Sequence, residues 1–270
     1  MRPCGPFSSA HPGVQSAQRC PVSIQGQSLS RGISVIEILV GLAIGLVLVT
    51  GMSSMVVGSR QTSRSERQLL EMQATGRIAI DVVGRELRKA GFRANRERSL
   101  ADVFAPAAAP FGTASAVVAA TATEDGFTVR FQGSGDSWTS DCLGNAIGAG
   151  HDIWETIWLQ GGALRCQVRN QTTNTEQTLA LIPQVEAMTI TYGIDDDGDG
   201  FADAYRNATA VANWSRVASV NVQLRIVSSE DGLADVAQPY RGFDGVAVIP
   251  SDRRLRRNYS TVVALRNILP

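Results

Sequence analysis

One carboxylate stands at the edge of the longest apolar run in this chain. Glu37 is followed by residues 38–58, ILVGLAIGLVLVTGMSSMVVG, which carry no formal charge. At the centre of a bilayer a carboxylate costs about 2.5–3.5 kcal/mol, so Glu37 is expected to have a task or a partner; the plainer alternative is that it sits at the interface and snorkels. A second concentration of acids is Asp195-Asp196-Asp197-Gly198-Asp199-Gly200-Phe201-Ala202-Asp203. Asp195, Asp197 and Asp199 occupy alternate positions, Gly200 supplies a turn at the sixth, Phe201 offers its backbone at the seventh, and Asp203 falls at the ninth, a spacing that wraps oxygen ligands around one Ca²⁺. The twelfth position is Arg206 instead of a bidentate glutamate, and no helical pattern flanks the loop, so it is not an EF-hand. Clustered acids repel one another without a cation, which makes calcium the expected occupant; the alternative is an acidic surface turn. The third pair is Cys142 and Cys166. In an oxidising compartment they are expected to form a disulfide, worth roughly 3 kcal/mol; otherwise they are buried thiols.

No catalytic set accompanies these groups. The only histidines are His11 and His151, and no GxSxG, HExxH, P-loop or dinucleotide fingerprint occurs. His151-Asp152 reads as an edge pair, and Trp138, Trp154, Trp158 and Trp214 as core or interface residues. The chain is therefore not expected to be an enzyme.

The elements that must position these residues are legible from composition and period. Hydrophobic residues make up 44% of the 270 positions and charged ones 19%, enough to bury a core. The 25 basic and 25 acidic residues balance, which argues against a nucleic-acid partner. Residues 1–32 hold Arg2, Arg19 and Arg31 and no acid, a cationic leader whose side of the membrane is expected to be cytoplasmic. The following apolar run spans about 30 Å as a helix, a bilayer core. It continues without a break into an amphipathic pattern, with Leu69, Met72, Gly76, Ile80, Val83, Leu87 and Ala90 as the apolar stripe. Arg67–Glu71, Arg77–Asp81 and Asp81–Arg85 are spaced to pair along that helix, and Gly91 reads as its stop. The helix is thus expected from about residue 34 to 90. Beyond it the period becomes two. Residues 127–131, Ile153/Glu155/Ile157/Leu159, Leu164/Cys166/Val168, Met188/Ile190/Tyr192, residues 220–226 and residues 261–265 read as antiparallel strands with one buried face. Gly161-Gly162 is a hairpin turn. Residues 101–122, Ala-rich with Pro106 and Pro110, read as an irregular connection.

The segment around Glu37 resembles the type IV pilin signature: a glycine before the cut, a hydrophobic first mature residue, and glutamate at the fifth mature position, matched by Gly32, Ile33 and Glu37. Ile33 stands where the family more often has Phe. The run Gly76-Arg77-Ile78-Ala79-Ile80-Asp81, continuing to Arg85-Glu86-Leu87 and Ala90-Gly91-Phe92, resembles the PilW group of minor pilins. So does the ending, Arg253-Arg254-Leu255-Arg256-Arg257 followed by residues 261–267.

The resemblance implies an α+β, pilin-like fold: a long N-terminal helix, transmembrane in its first half, packed on an antiparallel β-sheet head. Residues 1–32 would be the leader, 33–58 the membrane helix, 59–91 the amphipathic stem and 92–270 a periplasmic β-rich head. It implies cleavage by a prepilin peptidase between Gly32 and Ile33, N-methylation of Ile33, and pairing of Glu37 with the α-amine of a neighbouring subunit. The expected partners are other minor pilins, the major pilin and a PilY-type tip adhesin. The expected locations are the inner membrane and the pilus tip, and the expected roles are twitching motility, adhesion or DNA uptake. A leader of this length, with no Met between Met1 and Met52, also predicts a later start, such as a non-AUG codon for Val22. Two rival readings are a type II secretion pseudopilin of the J class and a membrane-anchored periplasmic binding domain that never polymerises.

Overall fold

The computed structural model describes residues 32–104, 110–112, 115–122, 125–136 and 139–268. The proposed leader up to residue 31, with Cys4, Cys20, His11 and Val22, lies outside the described residues, as do Pro106 and Trp138. The chain divides into two compact units, Met1–Ser54 and Met55–Pro270.

In the first unit the described residues form the start of helix α1, Val35–Lys89. The Ser34 carbonyl accepts from the Glu37 and Ile38 N–H groups at 2.9 and 3.2 Å, which opens the first turn. The apolar side chains of this unit are exposed, Ile33, Leu39, Leu46 and Val49 among them. Its hydroxyls are satisfied inside the helix: Thr50 donates to the Leu46 carbonyl at 2.9 Å, Ser53 to Val49 and Ser54 to Gly51 at 2.8 Å. Within its length α1 is long and apolar enough to cross a membrane.

In the second unit the remainder of α1 buries Gln68, Met72, Gly76, Ala79, Val83, Gly84, Glu86 and Leu87. The expected apolar stripe is right from Met72 onward but displaced at its start. Leu69 is 41% exposed, and Gln68 takes the inward position because its Oε1 accepts from the Ser229 amide and hydroxyl at 3.2 and 2.9 Å. None of the three expected ion pairs along the helix forms among the described residues. Arg85 turns instead to Glu86 at 3.0 Å, while Glu71 accepts from Gln68 and Gln184 at 3.2 and 2.6 Å. The helix stops as expected at Gly91, whose φ of +76° suits a residue without Cβ. Asn267 then caps it from the far end of the chain, donating to the carbonyls of Arg88 and Ala90 at 2.9 and 3.1 Å.

A short helix, α2 (Leu100–Val103), follows, and then the strands β1 (Val118–Ala120), β2 (Gly126–Gln132), β3 (Asp152–Gln160), β4 (Ala163–Asn170), β5 (Thr175–Pro183), β6 (Val185–Ile194), β7 (Ala204–Arg206), β8 (Val217–Val227), β9 (Tyr240–Arg241), β10 (Ala247–Val248) and β11 (Arg256–Ala264). They pair antiparallel into a five-stranded sheet, β1-β2-β3-β4-β5, a four-stranded sheet, β11-β8-β6-β7, and a small β10-β9 ribbon. The β3–β4 hairpin turns on Gly161 and Gly162, with φ of +62° and +74°, which matches the left-handed pair of a primed hairpin turn.

Several strand expectations needed correction. Residues 127–131 bury both faces, because Phe104 and Phe111 close over the outer one: the Arg130 guanidinium lies 5.0 and 4.7 Å from their ring centroids. The stretch 101–122 is therefore not wholly irregular; it contains the end of α2, held by a Ser99/Asp102 capping box, and all of β1. β5 lacks the alternation that marks a strand, since residues 175–180 are exposed on both faces at a sheet edge. Two of the tryptophans pack on the core as expected: Trp154 meets Phe111 edge-on at 5.2 Å, and Trp214 meets Tyr192 at 4.7 Å.

One core joins the second part of α1 to both large sheets. Tyr259 of β11 lies over Gly76, where an added Cβ would overlap its ring, and its hydroxyl donates to the Met72 carbonyl at 3.1 Å.

Candidate functional site

Ser34 and the apolar helix that follows position Glu37 in the first turn of α1. There the free N–H groups and the helix dipole favour a negative side chain. Gly32 and Ile33 precede the helix outside regular structure and are exposed, Ile33 by 72%. The geometry places the expected cleavage position outside regular structure and within a turn of the one acid of the apolar segment.

The acidic loop joins β6 to β7. Its sharp bends come at Gly198 and Gly200, with φ of +85° and +87°. The Asp195 carboxylate accepts from the Gly198 and Gly200 amides at 2.6 and 2.9 Å, and Asp203 Oδ2 accepts from the Asp196 amide at 2.7 Å. Asp195, Asp197 and Asp203 each bring one carboxylate oxygen within 4.8 Å of the others. Asp199 is not brought into this group; its Oδ1 accepts from the Phe201 amide at 2.8 Å. The Phe201 ring is 75% exposed. Desolvation is the largest single influence and pushes the Asp195 carboxyl upward, but hydrogen bonds from the Gly198, Gly200 and Asp199 amides and from Asp197 together outweigh it and hold the group below its ordinary value. Arg206, at the twelfth position, lies 3.5 Å from Asp196, on the flank of the loop. Three convergent carboxylate oxygens on one turn are a donor set suited to a hard cation.

Cys142 and Cys166 are joined as a disulfide, which ties the loop before β3 to β4. His151, just before β3, shares a hydrogen bond with Asn170 at 3.1 Å, not with Asp152 as the expected pair had it.

Sequence reasoning missed a buried charged cluster at the end of α1, made by Glu86, Lys89 and Glu155. Glu155 reads as one more inward position of an alternating strand, and Glu86 as one residue of a charged helix. The available signal was Lys89, the only lysine in an arginine-rich chain, three residues after Glu86.

Residues 158–267 match the family model described as Type IV Pilus-assembly protein W. That stretch contains β4 to β11 and the acidic loop. No curated protein matches the chain. Among solved structures, a type IV-like pilin from Thermus thermophilus is similar at 15% sequence identity and a TM-score of 0.46, covering 74% of this chain and 98% of that one. In this chain a long apolar N-terminal helix is followed by antiparallel sheets, and the part of the head from residue 158 to 267 is similar to Type IV Pilus-assembly protein W.

Proposed function

We propose that this chain is a minor pilin of a type IV pilus, a structural subunit and not an enzyme, stored in the inner membrane with its head in the periplasm. It joins other minor pilins in a tip complex that primes assembly of the major pilin and presents a PilY-type adhesin. The observation that carries this reading is Glu37 in the first turn of an exposed apolar helix, five residues after Gly32, on a chain whose head matches Type IV Pilus-assembly protein W. A prepilin peptidase would cut after Gly32 and free the α-amine of Ile33 for methylation. Glu37 would neutralise that amine on a neighbouring subunit, which removes the cost of its charge in an apolar setting.

The test is the N-terminus of the protein recovered from membranes and from sheared pili. The expected result is methylated Ile33 in both fractions, with the pilus fraction far less abundant than the major pilin. Gly32→Glu should leave the chain uncut and remove it from pili. Function retained by the uncut variant overturns the reading in favour of a simple membrane anchor, and recovery only with a secretion apparatus overturns it in favour of a pseudopilin.

We further propose that Asp195, Asp197 and Asp203 hold Ca²⁺, with the Phe201 carbonyl as a further ligand and Asp199 shaping the turn. The convergence of three carboxylates supports this. Raising calcium from zero to a few times its Kd should raise Tm, since a ligand for the folded state stabilises it by mass action. An unchanged Tm at millimolar Ca²⁺, or the same shift in Asp197→Asn, overturns it.

A further inference from the structure

The last turn of α1 carries the chain's only lysine, and its ammonium is drawn into the head. Lys89 Nζ donates to Glu155 Oε1 at 3.0 Å and lies 2.8 Å from Oε2. It also pairs with Glu86, one turn earlier, donates to the Ser140 carbonyl at 3.0 Å, and sits 4.7 Å from the centroid of the Phe131 ring. The side chains of Glu86 and Glu155 are 1% and 0% exposed. The Cys142 amide donates to Glu155 Oε1 at 2.8 Å, and Arg85, mostly exposed, reaches only Glu86 Oε1, at 3.0 Å.

Among the described residues the surroundings add no further charge to balance Glu155. Its partners in register are Val129 of β2 and Val168 of β4, and the disulfide of Cys166 and Cys142 adjoins. The nearest acid of the loop, Asp141, directs its carboxylate to the amides of Leu143 and Asn145. The charged groups acting on Glu155 are Lys89 and Glu86, and those on Glu86 are Lys89, Glu155 and Arg85. Glu86 Oε2 and Glu155 Oε2 are both buried, both turn to the one ammonium, and take no other protein donor. Two buried carboxylates on one ammonium cannot both ionise cheaply, and a proton between them supplies the missing donor.

We propose that Glu86 and Glu155 together bind one proton beside Lys89, and that this site latches the end of α1 to the five-stranded sheet near neutral pH and loosens it in alkali. The arrangement assigns the proton to Glu155. Burial pushes that carboxyl up to about 8, against the pull of Lys89 and with Glu86 adding to the push. Burial also pushes Glu86 up, but Lys89 and hydrogen bonds from Glu155, Lys89 and Arg85 hold it below its ordinary value. Because the Glu155 value is raised on folding, its contribution to stability is fully present below the ordinary carboxylate range. It falls as pH rises and is gone above about 8.

The full chain in detergent provides the test, by unfolding at fixed temperature across pH steps from about 6.5 to about 9, a window in which the folded chain releases the proton it holds. The unfolding equilibrium constant of the wild type should rise up to ~10-fold per pH unit below about 8 and then level off, while Glu155→Gln should give a flat profile. Equal slopes in the two proteins overturn the proposal. Should Glu155→Gln fail to fold, infrared spectra of the wild type decide. A protonated-carboxyl band present at neutral pH and lost in alkali supports the site, and its absence at neutral pH overturns it.

Discussion

The first and last stretches of α1 satisfy their polar groups in opposite ways. In residues 33–54 the apolar side chains are exposed, and Thr50, Ser53 and Ser54 close their hydroxyls on carbonyls three or four residues earlier. Among the described residues these hydroxyls need no side chain from elsewhere in the chain. In residues 72–90 Met72, Ala79, Val83, Leu87 and Ala90 are buried, and polar groups at the end of the helix are satisfied by residues far along the sequence: Lys89 by Glu155, and the terminal carbonyls by Asn267. A helix that meets its own backbone and hydroxyl needs can leave water for lipid. One that borrows partners from the head cannot be separated from it without exposing them. The same secondary structure thus serves as a membrane-competent segment at one end and as part of a protein core at the other.

Substitutions that strike the two ends should separate these roles. The largest effect is expected at the buried charges. Lys89→Met removes the partner of Glu86 and Glu155 and should cost about 3–5 kcal/mol in denaturant unfolding of the full chain. Next comes packing. Leu87→Ala, in the core, should cost about 2–5 kcal/mol, whereas Leu48→Ala, 56% exposed, should leave the unfolding of the head within about 0.5 kcal/mol of wild type. Equal costs for the two leucines would erase the distinction. Asn267→Ala leaves the Arg88 and Ala90 carbonyls without their cap and should cost about 1 kcal/mol, read as faster amide exchange at the end of α1. Thr50→Val, whose hydroxyl returns to its own helix, should change the head by less than about 0.5 kcal/mol and leave membrane partitioning intact.

Much of the fold was legible because it is local. The apolar run, the amphipathic stripe from Met72 onward though not its start at Leu69, the stop at Gly91 and the Gly161-Gly162 turn all depend on residues within a few positions of one another. The alternation in residues 220–226 is equally plain, since β8 lies between β11 and β6 with a buried face. β5 was hidden because an edge strand without a buried face has no period to show. The surplus burial of β2 was hidden because Phe104 and Phe111 come from a preceding connection and cover the face that alternation assigns to water. In the acidic loop, spacing picked out Asp195, Asp197 and Asp203, but the choice between Asp199 as a ligand and as a turn former rests on which amide its oxygen meets.

The sequence by itself determined that a membrane-length helix with one acid at its start leads into a β-rich head, since hydrophobic period and charge spacing are properties of neighbours along the chain. Only the tertiary structure decided which polar groups that helix takes into the core. Gln68 turns in where Leu69 was expected because Ser229 waits there, and Glu86, Lys89 and Glu155 become one buried cluster because β3 brings together groups 66 residues apart. Burial sets the charge state of such a cluster, and burial is a property of the packed molecule that no stretch of sequence carries alone.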